Sequence, residues 1–230
     1  PDSLEVLTDW LRSGHLLGNH TFSHVDLARS TPEAYIADIV AMDGLLNHLS
    51  PTASPVKVFR YPYMSEGDTL EKRDRVRTFL GNNGYQVAQV TVHYFDWVWN
   101  SAYVRCHARH DAASMQWLRQ HVIAAARREV RQAQDMAKLL TGRNVRHILL
   151  LHMSAFNSLT LAEVLAALQA EGVKFIDLPT AMKDPIYRRN PGLSLSGSAT
   201  LLEQLLRATN PYGEQVKEIE AMCKPSVVNY

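Results

Sequence analysis

Short apolar runs alternate with longer amphipathic stretches along most of this chain, and that order restricts its fold more than any other property. Leu16-Leu17-Gly18-Asn19, Val56 to Phe59, Tyr85 to Val92, His147 to Leu151 and Val173 to Leu178 read as strands. Between them lie helical patterns. Residues 3–12 carry Leu4, Leu7 and Leu11 on one face, with Gly14 as a stop. Thr31-Pro32 opens a helix with a capping Thr and a first-turn Pro, and its apolar stripe is Ile36, Ile39, Leu46 and Leu49. Asp68 and Glu71 make a capping pair before a helix through Val76 and Phe79. Met115, Leu118, Val122, Ala126, Val130 and Ala133 keep helical spacing up to Gly142. Thr160 and Glu163 form a capping box for a last helix that Gly172 stops. Strand and helix in repeated alternation imply parallel strands with crossover helices, in an open α/β sheet or a β/α barrel. The pattern breaks near Asp184. Residues 1–183 are therefore expected to form one α/β domain and 184–230 a C-terminal extension with a helix around Leu201 to Leu206.

Charge and composition exclude several classes. With 24 Lys+Arg against 23 Asp+Glu, scattered rather than clustered, the chain has no polybasic arm and no nucleic-acid partner is expected. No apolar run approaches the roughly 20 residues that span a bilayer. Cys106 and Cys223 stand far apart, which suggests neither a disulfide scaffold nor a cysteine zinc site.

Four strand candidates each lead into a chemically capable residue: His20, Arg60, Asp96 and His152. In parallel α/β folds the carboxyl ends of the strands are where sites assemble. His20 and His24 bracket Thr21-Phe22-Ser23, and two histidines four apart can chelate one metal or can be a surface pair. Thr21, not Glu, follows His20, so this is not the metalloprotease arrangement. Arg60-Tyr61-Pro62-Tyr63 sets a guanidinium, suited to a carboxylate or to a structural ion pair, beside a proline-stiffened turn. Asp96-Trp97 offers a carboxylate beside an apolar wall, or a helix cap beside a core Trp; His152 ends an apolar strand.

Together, His20-Thr21-Phe22-Ser23-His24, Arg60-Tyr61-Pro62-Tyr63, Asp96-Trp97 and Leu149-Leu150-Leu151-His152 resemble the motifs of the polysaccharide deacetylase family, carbohydrate esterase family four, in order and spacing from about residue 4 to residue 182. The resemblance implies a distorted β/α barrel that removes N- or O-acetyl groups from a polysaccharide or oligosaccharide with a divalent metal, most often zinc. It implies His20 and His24 as metal ligands and the Tyr63 backbone N–H as part of an oxyanion hole. It implies His152 as the general acid, oriented by Asp96, Trp97 and Leu151 as walls of the acetyl pocket, and Arg60 as the residue holding the base carboxylate. Two departures stand out. His93 occupies the place of a further Asp ahead of Asp96, and the family's first motif, an Asp-Asp pair that supplies the base and a third ligand, is absent. The first β-α unit is accordingly expected to lie outside this chain. Polysaccharide as partner suggests the cell envelope, the periplasm or the exterior. The alternatives are a non-catalytic sugar-binding or assembly subunit, or an amidase or deformylase acting on a non-sugar C–N bond.

Overall fold

The computed structural model describes residues 3–49, 57–194, 199–207 and 213–224; Val56, read above as a strand start, lies outside them. The chain divides into two compact units: residues 1–89 with 187–199, and residues 90–186 with 200–230. The segment from Asp184 onward, expected as one extension, is thus shared between the two.

The first unit begins with α1 (Ser3–Arg12) and continues through α2 (Pro32–Leu49), β1 (Lys57–Phe59), α3 (Leu70–Asn82) and β2 (Tyr85–Val87). β1 and β2 are parallel, with Lys57 opposite Tyr85 and Phe59 opposite Val87. Asn19 forms an isolated parallel bridge to Phe59 on the other side of β1. Gly18 lets the two segments approach closely there: a Cβ at this position would stand 3.1 Å from Val58 O. Thr31 Oγ1 accepts the Ala34 N–H, so α2 starts where the Thr-Pro signal indicates. Its fully buried residues are Tyr35 and Ile39, which pack with Phe59, Tyr61, Val76 and Leu80. α3 is capped by Thr69, whose side chain accepts from Lys72 N, and not by Asp68, which instead pairs with Lys72 Nζ at 2.9 Å. Thr69 is one residue closer to the first helical turn, so its hydroxyl reaches an orphan N–H that Asp68 cannot.

The second unit is built on α4 (Asp96–Ala108), α5 (Ala112–Thr141), α6 (Ala155–Ala170), α7 (Leu178–Met182), α8 (Leu201–Leu206) and α9 (Gly213–Ala221). Its core gathers Trp99, Ala102, Leu118, Val122, Phe156 and Val164. Gly142 closes α5 in the left-handed conformation with φ of 69°. α6 starts five residues before the expected box. Ser154 is the cap, and Thr160 lies inside the helix with its hydroxyl donated back to Phe156 O at 2.9 Å.

Three expected strands do not form as strands. Leu16 to Asn19 and His147 to Leu151 contribute only single parallel bridges, Asn19 to Phe59 and Val92 to Leu149. Tyr85 to Val92 is paired in two pieces, β2 and the Val92 bridge. Val173 to Leu178 is not in a strand, and Phe175 and Ile176 are exposed. A strand exists only by pairing, and β propensity does not supply the missing neighbour. The α/β order with parallel pairing stands; a closed barrel is not formed by these elements.

Cys106 and Cys223 are joined, which corrects the expectation from their separation in sequence. α9 packs on α4 and brings their Cα atoms to 5.2 Å. Arg105 supports the junction, its guanidinium donating to Met222 O at 3.1 Å and Glu220 O at 2.9 Å, carbonyls at the C-terminus of α9. The bridge spans 117 residues. Reducing it, or replacing both cysteines with serine, is expected to lower the unfolding free energy of this unit by about 2–5 kcal/mol, because the unfolded chain regains its loop entropy. Urea unfolding with and without reductant measures this; an unchanged midpoint refutes it.

Candidate active site

In the first unit the chemistry collects where strand segments end. Asn19 is buried, its Nδ2 2.9 Å from both Ile39 O and Asp43 Oδ1, and its Oδ1 accepts the Thr21 N–H at 2.9 Å. This anchors the loop that follows. Thr21 and His24 adopt φ of 61° and 54°, a left-handed conformation that costs non-glycine residues energy and needs outside support. Asp38 of α2 provides it, accepting from Ser23 N and Ser23 Oγ, each at 2.9 Å. Burial is the largest single influence and raises the Asp38 pKa, but the bonds from Ser23, with those from Thr21 and Phe22, together outweigh it and hold the carboxyl below its ordinary range.

The result is a histidine pair. The His20 and His24 rings lie 4.9 Å apart at 73°, and Tyr63 stands edge-on to His24 at 4.8 Å. His20 Nδ1 is 2.7 Å from Arg60 O. A carbonyl can only accept, so Nδ1 carries the proton and Nε2 is the lone-pair nitrogen that a metal takes. The donor chemistry therefore fits a zinc-like ion at two positions. Among the described residues no third His, Cys, Asp or Glu completes a cluster with them.

Tyr63 lies in a 3-10 turn, Pro62–Met64, with φ of 56°, and the residue is 55% exposed. The Arg60 guanidinium, lowered in pKa by burial, donates from Nε to Ala88 O at 3.4 Å. Among the described residues no carboxylate pairs with it.

In the second unit Asp96, the first residue of α4, is 2% exposed. Its Oδ1 accepts from His152 Nδ1 at 2.8 Å, and its Oδ2 from His152 N at 2.6 Å. Phe95, at φ of 55°, turns the chain so that Asp96 can face His152 across 56 positions of sequence. His93 is 5% exposed, and burial drives its pKa down to about 4, against the pull of Asp96, so it is neutral. Trp97 is 47% exposed beside the buried Asp96, and Leu151 packs at the edge of the core. The structure thus groups His20, His24, Arg60 and Tyr63 in one unit and Asp96, Trp97, Leu151 and His152 in the other. Two contributors escape a sequence reading: Asp38, and Asn157, which also contacts Asp96. The Ser154-x-x-Asn157 spacing after His152 was the available signal for the latter.

Comparison with known proteins agrees with the motifs of the first unit. Residues 2–88 match the polysaccharide deacetylase family model. A peptidoglycan-N-acetylglucosamine deacetylase of Bacillus cereus is 34% identical over 84 residues, 36% of this chain and 28% of that protein. A chitin deacetylase of Arthroderma benhamiae is 30% identical over 71 residues, 31% of this chain and 19% of that protein. The chain thus spans well under two thirds of the length of either relative. Asp96, Trp97, Leu151 and His152 lie beyond the family match. Residues 2–88, which carry His20, His24, Arg60 and Tyr63, are thus similar to the polysaccharide deacetylase family.

Proposed function

We propose that this protein is a metal-dependent hydrolase that removes acetyl groups from an N-acetylated glycan, with the parallel β-α order of a distorted β/α barrel. The observation that carries the reading is the His20–His24 pair, its rings 4.9 Å apart and the His20 tautomer set by Arg60 O, within the segment that matches the family. His20 and His24 would hold the ion. A divalent metal supplies Lewis acidity to the acetyl carbonyl and a lowered pKa to water, and zinc suits imidazole donors.

The remaining roles fall to the chain itself. The Tyr63 backbone N–H donates to the oxygen on which negative charge develops. His152 in its doubly protonated form gives the Nε2 proton to the departing sugar amine, its Nδ1–H held by Asp96. Trp97 and Leu151 offer an apolar wall to the acetyl methyl, and Arg60 would hold a base carboxylate, a group that none of the described residues supplies to it. Bacillus cereus and Arthroderma benhamiae relatives named for peptidoglycan and chitin deacetylation support an N-acetylglucosamine polymer as substrate. The Cys106–Cys223 bridge supports an oxidising location such as the envelope or exterior. Among the described residues no helix is long and apolar enough to cross a membrane.

A second reading, a sugar-binding member without catalysis, draws on the two-ligand set. One experiment separates them: acetate release from an acetylated chito-oligosaccharide after chelation and zinc resupply. The expected result is zinc-dependent release that His20→Ala abolishes, together with weaker zinc binding by calorimetry. Zinc binding and sugar binding with no release favours the second reading.

A further inference from the structure

The contact between Asp96 and His152 is closed by a third side chain. Asn157 stands in the first turn of α6, 5% exposed, and is placed by the helix cap, since its N–H donates to Ser154 Oγ at 3.1 Å. Its Nδ2 donates to Asp96 Oδ2 at 2.6 Å and to His152 O at 2.8 Å. Rotating the amide would set Oδ1 against a carboxylate and a carbonyl, acceptor against acceptor, so chemistry fixes the orientation. In that orientation Asn157 Oδ1 is buried with no partner among the described residues. Packing alone gives no reason to keep such a group, since an apolar side chain would fill the space without leaving an acceptor unpaired.

The two N–H groups hold different parts of one device. One fixes the Asp96 carboxylate in the rotamer that puts Oδ1 on His152 Nδ1; the other fixes the peptide from which the His152 ring projects. We infer that Asn157 is a positioning residue that locks the Asp96–His152 pair in the geometry for proton delivery, an inference that rests on His152 being the proton donor. The titratable groups facing this pair are the neutral His93 and the phenol of Tyr94, whose pKa is raised by burial and by Asp96.

The test uses the full zinc-loaded chain with Asn157→Ala and Asn157→Asp, each checked for an unchanged thermal transition. On an acetylated chito-oligosaccharide, N157A is expected to lower kcat by about 10–100-fold, the penalty of a misplaced catalytic group, with KM nearly unchanged. N157D is isosteric, loses the donor when ionised, and is expected to regain part of its kcat as pH falls and the new carboxyl is protonated. A low-field imidazole N–H resonance from the Asp96–His152 bond is expected in the wild type, absent in Asp96→Asn and lost or broadened in N157A. N157A with wild-type kcat and an intact resonance overturns the inference. Should N157A fail to fold, N157D decides in the same way. A wild type that releases no acetate fails the functional reading, and the resonance, which needs no substrate, then decides whether Asn157 positions the pair.

Discussion

His152→Ala is expected to lower kcat for acetate release by about 10²–10⁴-fold, the usual contribution of a positioned general acid. The imidazole is well disposed for this work. Its Nδ1 is committed to Asp96 Oδ1 at 2.8 Å, its backbone N–H to Asp96 Oδ2 at 2.6 Å, and its side chain is 45% exposed and so within reach of a substrate. Asp96 is buried and cannot exchange its bonds for water, so the tautomer that presents Nε2 outward is held. An amine is a poor leaving group until protonated, hence the size of the effect. Asp96→Asn is expected to act in the same direction, because an amide in place of the carboxylate can hold the wrong tautomer. KM should change little in either variant. Steady-state acetate release decides; a His152→Ala protein retaining more than a tenth of wild-type kcat would remove His152 from the reaction.

How much of this was readable beforehand depends on how local each feature is. The His20–His24 pair is local: four residues of spacing determine it, and the strand end that carries it is written in Leu16 to Asn19 even though only Asn19 is bridged. Asp96 and His152 are 56 positions apart, and only their strand-end positions and the family resemblance linked them. Asp38 and Asn157 act by reaching sideways from helices to loops, so no periodicity marks them. α4 is legible in principle, since Val98, Ala102 and Cys106 recur at helical spacing. The Thr160–Glu163 pair misled because the spacing of a capping box also arises inside helices, and Ser154 offered a competing cap. Cys106 and Cys223 illustrate the opposite limit. Distance in sequence says nothing about distance in space once α4 and α9 pack.

Glu66→Ala is expected to destabilise the first unit by about 3–5 kcal/mol, the cost of leaving a buried charge without its partner. Glu66 is 4% exposed and serves two cations. Arg77 holds it with two hydrogen bonds, the one from Nη2 to Oε1 at 2.7 Å, and Arg73 Nε lies 3.3 Å from Oε2. Arg73 is itself 1% exposed and also donates to Asn190, so the carboxylate steadies the 187–194 segment through it. Removing the anion leaves Arg73, in the core next to Tyr61, with Asp74 at 3.0 Å as its remaining carboxylate partner, and Arg77 without the carboxylate that its guanidinium grips. Acid gives an independent check. Burial alone would raise the Glu66 pKa, but the Arg77 hydrogen bond and charge, with Gln89 and Arg73, outweigh it and keep the carboxyl below its ordinary range. A depressed native pKa contributes stability that is complete above the unfolded value of about 4.3 and is lost as pH falls through the native one. The wild type should therefore lose stability on acidification below about pH 4, and Glu66→Gln, weaker at neutral pH, should lose less over the same range. Urea unfolding at neutral and acid pH measures both terms; equal acid sensitivity in wild type and Glu66→Gln would assign the acid loss to other carboxylates.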